Sequence, residues 1–342
     1  MTKTLINYCQ QIVSSYKRMS NKNYSWEKPL ISVVIPLYNK ESYITKSIQS
    51  VLSQTISDFE LIIVNDGSTD SSLDVVNGIT DSRIRIINQE NAGVSIARNN
   101  GVAAANSDIV AFLDADDEWL PRYLETILSL SEKFPNAGMF GTAFSVYADE
   151  KHIHDEIHKQ NEGDRLFHSY FCEYMVAKHS IIMTSCFAAK KEALLKVGGY
   201  QPHMRIGEDH DLYGKIALSF PVAYSPLVCS ICNIGTENNT DKVNYIIDVP
   251  LEQYLRENTV SSPLLNSECF TAYMDHWRIR TGGRNIYSGF RKEGRLQIKQ
   301  VSSRENRLLK FLFLIVSYVP INYSKLPANF VRRVLRICRL SI

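Results

Sequence analysis

The sequence predicts an α/β protein with a mostly parallel central sheet and helices on both faces. Short runs of β-branched and other apolar residues alternate with amphipathic stretches along the first two thirds of the chain. This alternation is typical of repeated strand–helix units, which build a parallel sheet covered on both sides. With 342 residues, 44% hydrophobic and 22% charged, the composition excludes disordered, collagen-like and coiled-coil chains.

Periodicity places the individual elements. Uninterrupted apolar runs predict buried strands, and these fall at residues 31–36, 60–64, 84–87, 109–113, 139–147 and 222–232. Apolar residues that recur every three or four positions predict helices, and these fall at residues 41–54, 73–79, 95–105 and 121–133. Pro121 is expected to be the first residue of its helix, where a missing N–H costs nothing.

Composition divides the chain into three predicted regions. Residues 1–29 carry apolar residues at helical spacing followed by a short linker, which predicts an N-terminal helical segment. Residues 30–235 hold the alternating strand–helix pattern and form the predicted main domain. Residues 236–342 are predicted to be a mainly helical, basic C-terminal extension.

Charge is distributed unevenly between these regions. The net charge is only +2, but residues 291–342 contain 12 Lys and Arg and two acids, whereas the first 290 residues contain 26 bases and 34 acids. A basic tail on an acidic body predicts a polyanionic partner, either a membrane surface or nucleic acid. Nucleic acid is disfavoured, because the tail's aromatic residues are not interleaved with its bases as stacking platforms.

The tail also carries apolar faces. Residues 330–338 place Phe330 and Val334 on one helical face and arginines mostly on the other, and residues 311–319 are almost wholly apolar. This pattern predicts an interfacial anchor on an anionic membrane. The alternative is a helical cap that packs on the main domain.

Localisation follows from several negative observations. No run reaches the ~18–20 apolar residues of a membrane-spanning helix, and the first 16 residues lack the apolar core of a signal peptide. Seven scattered cysteines do not suggest a disulfide framework. We therefore expect a cytoplasmic chain with reduced cysteines, peripheral on the inner face of the cell membrane.

Polar residues collect where the predicted strands end. Tyr38 follows the first strand, Asp66 follows the second, and Asp114, Asp116 and Asp117 follow the fourth. In such sheets ligands bind at the carboxyl ends of the strands. Three carboxylates in four residues repel one another unless a cation is present, so they predict a half-site for Mg²⁺ or Mn²⁺ completed by a diphosphate. A structural turn with surface acids is the alternative.

Two other features are interpreted as structural. The polar, histidine-rich segment 148–180 is predicted to be a mobile loop over a cleft, with a zinc site as the alternative. Cys229 and Cys232 lack the second ligand pair of a structural zinc site. They are predicted to be ordinary cysteines in a strand.

Several short motifs occur in a characteristic order, at residues 35–39 (IPLYN), 64–70 (VNDGSTD), 92–101 (AGVSIARNNG), 114–117 (DADD), 191–200 (KEALLKVGGY) and 207–212 (GEDHDL). As a set, over about residues 30–235, they resemble glycosyltransferase family 2, inverting nucleotide-sugar enzymes with the GT-A fold. Each motif alone is loose.

The resemblance implies roles on the donor side. Tyr38 corresponds to the aromatic residue that stacks on the nucleotide base, and Pro36 begins the loop beneath it. Asp66 matches the acid that hydrogen-bonds the base, usually uracil. Arg98 is expected to reach the diphosphate or to brace the acids.

The resemblance also implies roles in the reaction. Asp114 and Asp116 match the D-x-D pair of the family, and Asp116 is expected to be the direct metal ligand. Asp209 matches the general base that accepts the proton of the acceptor hydroxyl. Glu208 and Asp211 compete for that role. Without the resemblance, these three acids would be interpreted as a solvated helix start.

Together these observations predict a metal-dependent, inverting hexosyl- or N-acetylhexosaminyltransferase. The donor is expected to be a UDP-sugar, and the acceptor a carbohydrate or lipid-linked saccharide in bacterial cell-surface polysaccharide synthesis, such as capsule or O-antigen. A dinucleotide oxidoreductase is excluded because no G-x-G-x-x-G follows a strand, and a nucleotidyltransferase because no glycine-rich basic loop follows the first strand. A catalytically inactive scaffold with the same fold remains the alternative.

Overall fold

The computed structural model describes most of the chain, namely residues 28–148, 151–156, 158, 162–177, 179–234, 244–303 and 306–318. Its strands are β1 (Ile31–Leu37), β2 (Phe59–Asp66), β3 (Ile84–Gln89), β4 (Ile109–Phe112), β5 (Glu118–Trp119), β6 (Met139–Ala148), β7 (Lys151–Glu156), β8 (Arg165–Leu166), β9 (Phe187–Lys190) and β10 (Val222–Ile234). Its helices are α1 (Ile44–Leu52), α2 (Ser72–Asn77), α3 (Val94–Ala104), α4 (Tyr123–Lys133), α5 (Tyr170–Ala177), α6 (Lys191–Lys196), α7 (Glu208–Ser219), α8 (Glu252–Glu257), α9 (Glu268–Ser288), α10 (Arg291–Lys299) and α11 (Arg307–Tyr318). Two 3₁₀ turns cover Thr184–Cys186 and Pro263–Asn266.

The described strands form one mixed sheet. Eight of them lie in the order β3-β2-β1-β4-β9-β6-β10-β5, with β7 added beside β6 and β8 beside β10. Strands β1 to β4 are parallel to one another, as predicted. Strand β9 runs antiparallel to both β4 and β6, so the second half of the sheet is mixed.

Helices cover both faces of the sheet, also as predicted. Along β2, Leu61 and Ile63 pack in one core with α1 and α4, whereas Ile62 and Val64 pack in the other with α3 and α7. This alternation follows from the two-residue period of a strand that is buried on both faces. Helix α9 also packs into the second core, so part of the C-terminal region lies against the sheet domain.

Two local predictions are wrong. Within the segment 148–180, expected to be a loop, the described residues form β7, β8 and α5. Antiparallel pairing of β7 with β6 orders this polar segment without a hydrophobic signal in the sequence. Helix α4 begins at Tyr123, so Pro121 lies in the preceding turn and not at the first helical position.

One pair of cysteines is oxidised, which contradicts the expected reduced state. Cys172 of α5 and Cys269 of α9 form a disulfide between residues 97 positions apart. The packing of the two helices places the Cα atoms of the two cysteines 4.9 Å apart, within the range that a disulfide spans. Cys229 and Cys232 are buried thiols in β10, as predicted.

Some predictions fall outside the described residues. The N-terminal helical stripe within residues 1–27 and the apolar face at residues 330–338 belong to this class. The three-region division therefore remains a prediction. Within the described part of the chain, no helix combines the length and apolar character needed to cross a bilayer.

Candidate active site

The carboxyl ends of three adjacent parallel strands form one edge of the sheet. Strand β1 lies between β2 and β4, and all three run in the same direction. Tyr38 follows β1 directly, Asp66 ends β2, and Asp114 comes two residues after β4. The fold therefore gathers the side chains that the sequence placed at strand ends, in the position where open α/β sheets bind ligands.

Hydrogen bonds tie together the loops after β1 and β2. The Asn39 side-chain oxygen accepts from the Thr69 N–H at 2.8 Å, and the Lys40 N–H donates to Ser72 Oγ at 2.7 Å. Asn39 has a φ of +50°, a left-handed conformation that asparagine tolerates better than most residues. The two loops thus hold each other in place beside the exposed Tyr38 ring.

Tyr38 and Pro36 differ in accessibility. The Tyr38 side chain is 42% exposed, so a flat base can stack on it. Pro36 lies inside β1, buried and in register with Val64, so the expectation that it begins the loop is wrong. Strand β4 pairs with β1 only as far as Val34. At Pro36, β1 is therefore paired with β2 but not with β4. A residue without an N–H is tolerated at such a position, because no bond to β4 is lost.

Asp66 is buried and anchors the loop before α3. Its Oδ1 accepts from Gln89 Nε2 at 2.7 Å and from the Ala92 N–H at 2.8 Å, and its Oδ2 accepts from the Gly93 N–H at 2.9 Å. An ionised carboxylate offers about four acceptor positions. These three bonds occupy three of the four positions.

Arg98, on α3, connects the strand-end acids to helix α7. Its side chain is only 4% exposed, and its guanidinium donates to Asp114 Oδ1 at 2.6 Å and to Glu208 Oε1 at 3.2 Å. The two acids, 94 positions apart in the sequence, are therefore held by one buried cation. Arg98 braces the acids, one of the two roles expected of it.

Asp116 and Asp117 have different partners. The Lys40 ammonium lies 2.7 Å from Asp116 Oδ2, and both side chains are mostly buried. Asp117 points inward, where Ser185 Oγ and the Asn233 N–H donate to its carboxylate. Burial, together with the charges of Asp114 and Asp116, holds the pKa of Asp117 well above its usual range. Asp117 is thus a structural residue, and the predicted half-site reduces to Asp114 and Asp116.

The first turn of α7, which follows Gly207, lies across the Arg98 bridge from the strand-end acids. Gly207 has a φ of +80° and directly precedes the helix, whose first turn carries Glu208, Asp209 and Asp211. Acids in the first turn are stabilised by the positive end of the helix dipole. A side chain at Gly207 would combine a strained backbone with a 3.2 Å contact to Pro250.

The acids of α7 have separate environments. Asp211 is buried, pairs with Lys215 at 2.8 Å and accepts from the Leu251 N–H at 2.8 Å, which makes it structural. Glu208 is held by Arg98. Asp209 accepts at 2.7 Å from the N–H of the next residue, His210, and its side chain remains 19% exposed.

Aromatic side chains surround the start of α7. The buried His210 ring lies 4.6 Å from Trp277 and 5.5 Å from Tyr174, measured between ring centres. Tyr273 Oη donates to the His210 carbonyl at 3.3 Å. Trp277 and Tyr273 both belong to α9, so the C-terminal region packs against the start of α7 beside Asp209.

Burial shifts the pKa of two side chains in this region, Glu208 and His210. Loss of hydration and the adjacent Asp209 raise the pKa of Glu208 to about 7, against the opposing influence of Arg98. Burial lowers the pKa of His210, so its ring is neutral at pH 7. A carboxyl group that titrates near neutrality beside a cleft is typical of functional sites, although ion-pair networks also produce it.

The acids at the strand ends offer only part of a metal site. Among the described residues, no group of three or more His, Cys, Asp or Glu side chains is arranged to hold a metal ion. Asp114 and Asp116 nevertheless provide hard carboxylate oxygens, the donors that Mg²⁺ and Mn²⁺ prefer. Both carboxylates lie against cationic side chains, so this corner already accommodates positive charge.

Sequence reasoning missed Lys40, Ser185 and the α9 aromatics. Lys40 directly follows the Tyr-Asn pair of the first motif, which was the available signal. Ser185 Oγ accepts from the Asp114 N–H at 3.1 Å and thereby positions the acidic turn. Nothing near Trp277 in the sequence indicates that it reaches the site, because the contact joins α9 to α7 across the fold.

Comparison with known proteins finds a family model that matches part of the chain. Residues 32–198 match the family model for glycosyl transferase family 2. The glycosyltransferase GlyA of Streptococcus pneumoniae is 43% identical over 100 residues, which are 28% of this chain and 14% of GlyA. The uncharacterized glycosyltransferase alr2836 of Nostoc sp. is 48% identical over 126 residues, which are 36% of this chain and 39% of that protein.

A third relative comes from a named biosynthetic route. TuaG of Bacillus subtilis, whose name assigns it provisionally to teichuronic acid biosynthesis, is 39% identical over 126 residues. That match covers 36% of this chain and 50% of TuaG. The chain thus spans half or less of the length of each of these three relatives.

Solved structures confirm the fold. S. aureus TarS residues 1–349, in complex with UDP-GlcNAc, superposes with a TM-score of 0.58 at 17% sequence identity. The superposition covers 91% of this chain and 89% of that chain. The same TarS fragment in complex with UDP gives a TM-score of 0.53. At this level of identity the likeness shows the α/β fold and its helical C-terminal region.

Proposed function

Residues 32–198 belong to glycosyltransferase family 2, and on this premise we propose that the protein is an inverting glycosyltransferase. It transfers a sugar, a hexose or N-acetylhexosamine, from a UDP-linked donor to an acceptor hydroxyl in bacterial cell-surface polysaccharide synthesis. The observation that carries the proposal is the bridge through Arg98 between Asp114 at the end of a strand and Glu208 at the start of α7. We infer that the bridge joins a donor edge, formed by Tyr38, Asp66, Asp114 and Asp116, to an acceptor wall, formed by the first turn of α7 and the α9 aromatics beside it.

The donor edge fits a nucleoside diphosphate. The exposed Tyr38 ring offers a stacking surface for the base, and Asp66 retains an acceptor position for a base N–H. Lys40, beside Asp116, lies where it can turn to the diphosphate. Because S. aureus TarS, which shares the fold, is solved with UDP-GlcNAc and with UDP, uracil is the base we propose.

A divalent cation, Mn²⁺ or Mg²⁺, completes this proposal. Asp116, with Asp114, would hold it, and the remaining ligands would come from the diphosphate and water. When bound, the ion neutralises the charge that develops on the departing nucleoside diphosphate. Lys40 and Arg98 supply permanent positive charge in the same corner.

The acceptor wall supplies the base. We assign proton removal to Asp209, because Asp211 forms an ion pair with Lys215 and Glu208 forms one with Arg98. The acceptor oxygen forms a bond to the anomeric carbon as its proton passes to Asp209. The bond from that carbon to the diphosphate oxygen breaks, and its electron pair leaves with the diphosphate. One displacement from the opposite face inverts the anomeric configuration.

The location of the reaction is also proposed. A lipid-linked saccharide acceptor would place the protein on the cytoplasmic face of the cell membrane. The strongly basic composition of residues 291–342 supports an anionic membrane as partner.

Release of UDP tests the proposed activity. The purified chain is incubated with a panel of UDP-sugars, Mn²⁺ and a bacterial lipid extract as acceptor source, and UDP is quantified. We expect release with at least one donor, and a fall of ~10²–10⁴-fold in the Asp209→Asn variant. If the wild-type chain binds UDP-sugars but releases no UDP above a protein-free control with any donor, the scaffold alternative is correct.

A further inference from the structure

Helix α11 has apolar side chains on two faces, and only one face is covered by the described residues. On the inner face, Phe313 and Leu314 pack against the buried cluster of Ile286, Tyr287 and Ile298. Phe313, with Leu309, also closes a second small cluster. The inner face thus attaches α11 to α9 and α10.

The outer face of α11 is a row of exposed apolar residues. Its members are at least 44% exposed and recur at helical spacing, namely Leu308, Phe311, Leu312, Ile315 and Tyr318. Scattered exposed apolar residues are normal, whereas a contiguous row of this kind marks an interaction surface. A helix that is apolar all round is normally buried on all sides. The outer face therefore requires a partner.

The surroundings of the outer face are positively charged. The described residues between 291 and 318 contain six Lys and Arg against one acid. Arg295 stacks on the Tyr318 ring at 4.8 Å and donates to the Ser317 carbonyl at 3.1 Å, so one cation lies at the end of the row. Arg307 begins the helix at the other end. A complementary partner would be anionic.

Charge decides between the possible occupants. Residues 319–342 contain five Lys and Arg and no acids, so folding this segment over the outer face would bring like charges together. A second copy of the chain would oppose two positive surfaces in the same way. Nucleic acid would satisfy the charge but would leave the apolar row in contact with water. A bilayer with anionic lipids satisfies both the apolar row and the surrounding cations.

We propose that the outer face of α11 docks on an anionic membrane surface, with Leu308, Phe311, Leu312, Ile315 and Tyr318 inserted at the headgroup–acyl boundary. The cations around the helix then interact with lipid headgroups. This docking deepens the proposed membrane location by naming the surface, and it does not depend on the transfer reaction.

Helix α9 connects this surface to the candidate active site. Trp277 of α9 packs on His210, beside Asp209. Six residues further along α9, Gly283 lies against Phe313, where even a Cβ atom would come within 2.8 Å of the ring. At 1.5 Å per residue, the two contacts are about 9 Å apart along the axis. A docked α11 would thus hold the acceptor wall at the membrane.

Vesicle co-sedimentation of the full chain tests the docking. Vesicles of phosphatidylcholine alone are compared with vesicles containing one third phosphatidylglycerol, at low and high salt. The test variant is Phe311→Ser/Leu312→Ser/Ile315→Ser, and the control is Ile153→Ser/Val176→Ser/Leu195→Ser, which removes equally exposed apolar residues elsewhere. Circular dichroism verifies that each variant is folded, and Phe311→Asp replaces the triple variant if that variant is not.

We expect the wild type and the control to bind the anionic vesicles, with weaker binding in high salt because the charges are screened. We expect the test variant to bind at least about tenfold more weakly, since three inserted side chains are lost. Equal binding of test and control variants, or no binding by the wild type, would overturn the proposal. So would a wild-type dimer that the test variant converts to a monomer, or lipid binding that emerges only after removal of residues 319–342.

Discussion

Arg98 is the residue on which the candidate site depends most. Its guanidinium is buried and balances the charge of two carboxylates, Asp114 in the turn after β4 and Glu208 at the start of α7. Removing one member of a buried ionic group is costly because it leaves the remaining charges uncompensated. The same bridge therefore also sets the spacing between the strand-end acids and the start of α7.

Replacing Arg98 should accordingly be costly. We expect Arg98→Met to lower the free energy of unfolding by about 3 kcal/mol, a value at the low end for buried pairs because Asp114 is partly exposed. Arg122→Met, which removes an exposed pair with Glu125, should cost less than about 1 kcal/mol. Urea denaturation of both variants measures the difference. Equal losses would show that the Arg98 bridge is not a buried network.

Asp209 and Asp211 should behave as opposites. Asp209→Asn should retain donor binding while transfer falls ~10²–10⁴-fold, because the acceptor loses its base. Asp211→Asn should instead destabilise the fold, since Lys215 loses a buried partner. Calorimetric donor binding, transfer rate and thermal unfolding are measured for both. Full transfer by Asp209→Asn would place the base elsewhere.

Glu208 should make stability depend on pH. Its folded pKa, about 7, lies above its ordinary value of 4.5, so between these pH values the folded protein holds a proton that the unfolded chain releases. Stability conferred by that proton is therefore complete below about pH 4.5 and is lost as the pH rises through 7, by up to about 3 kcal/mol.

The Glu208→Gln variant tests this dependence. Urea midpoints at pH 5 and pH 8 should converge in Glu208→Gln, whereas Glu192→Gln, an exposed control, should follow the wild type. If all three proteins show the same dependence on pH, Glu208 does not titrate as described.

At the scale of elements, the start of α7 is fixed by backbone conformation. Gly207→Ala should cost about 1–2 kcal/mol, because a left-handed φ disfavours a side chain and the new Cβ meets Pro250. Since the shift would re-aim Asp209, transfer should also fall. Gly163 shares the positive φ but has open space around it. Gly163→Ala should therefore lose stability without losing transfer, and unchanged transfer in Gly207→Ala would contradict the role of this helix start.

The sequence predicted the elements that depend on local pattern. Strands β1 to β4 and their helices were recognisable because each strand is buried on both faces and each helix has one apolar stripe. The polar strand β7 carried no such signal, and it is ordered only by pairing with β6. Long-range contacts were equally inaccessible, such as the Cys172–Cys269 bond and the contact of Trp277 with His210.

The sequence likewise predicted only part of the candidate site. Residue types at strand ends indicated Asp66, Asp114 and Asp116, and the family resemblance indicated Asp209. Neither could reveal that Asp117 and Asp211 turn inward to Ser185 and Lys215. That distinction depends on which side chains the fold packs beside each carboxylate.

At the scale of the whole molecule, the charge division separates the two surfaces for which we propose functions. The acidic body carries the candidate site, and the basic C-terminal region presents the outer face of α11. Helix α9 contacts both, through Trp277 and Gly283. We therefore propose a donor site on the sheet edge and an acceptor wall that is held close to a membrane.

The central claim is that the edge formed by Tyr38, Asp66, Asp114 and Asp116 binds a nucleoside diphosphate with a divalent cation. The most direct test is thermal unfolding of the chain with UDP, GDP, CMP or dTDP, each with and without Mn²⁺, alongside Asp116→Ala. A ligand at ~100 times its dissociation constant adds about 2.7 kcal/mol to stability. We predict a rise in the melting temperature with UDP that requires Mn²⁺ and disappears in Asp116→Ala. No rise with any of the nucleotides, with or without Mn²⁺, would contradict the account.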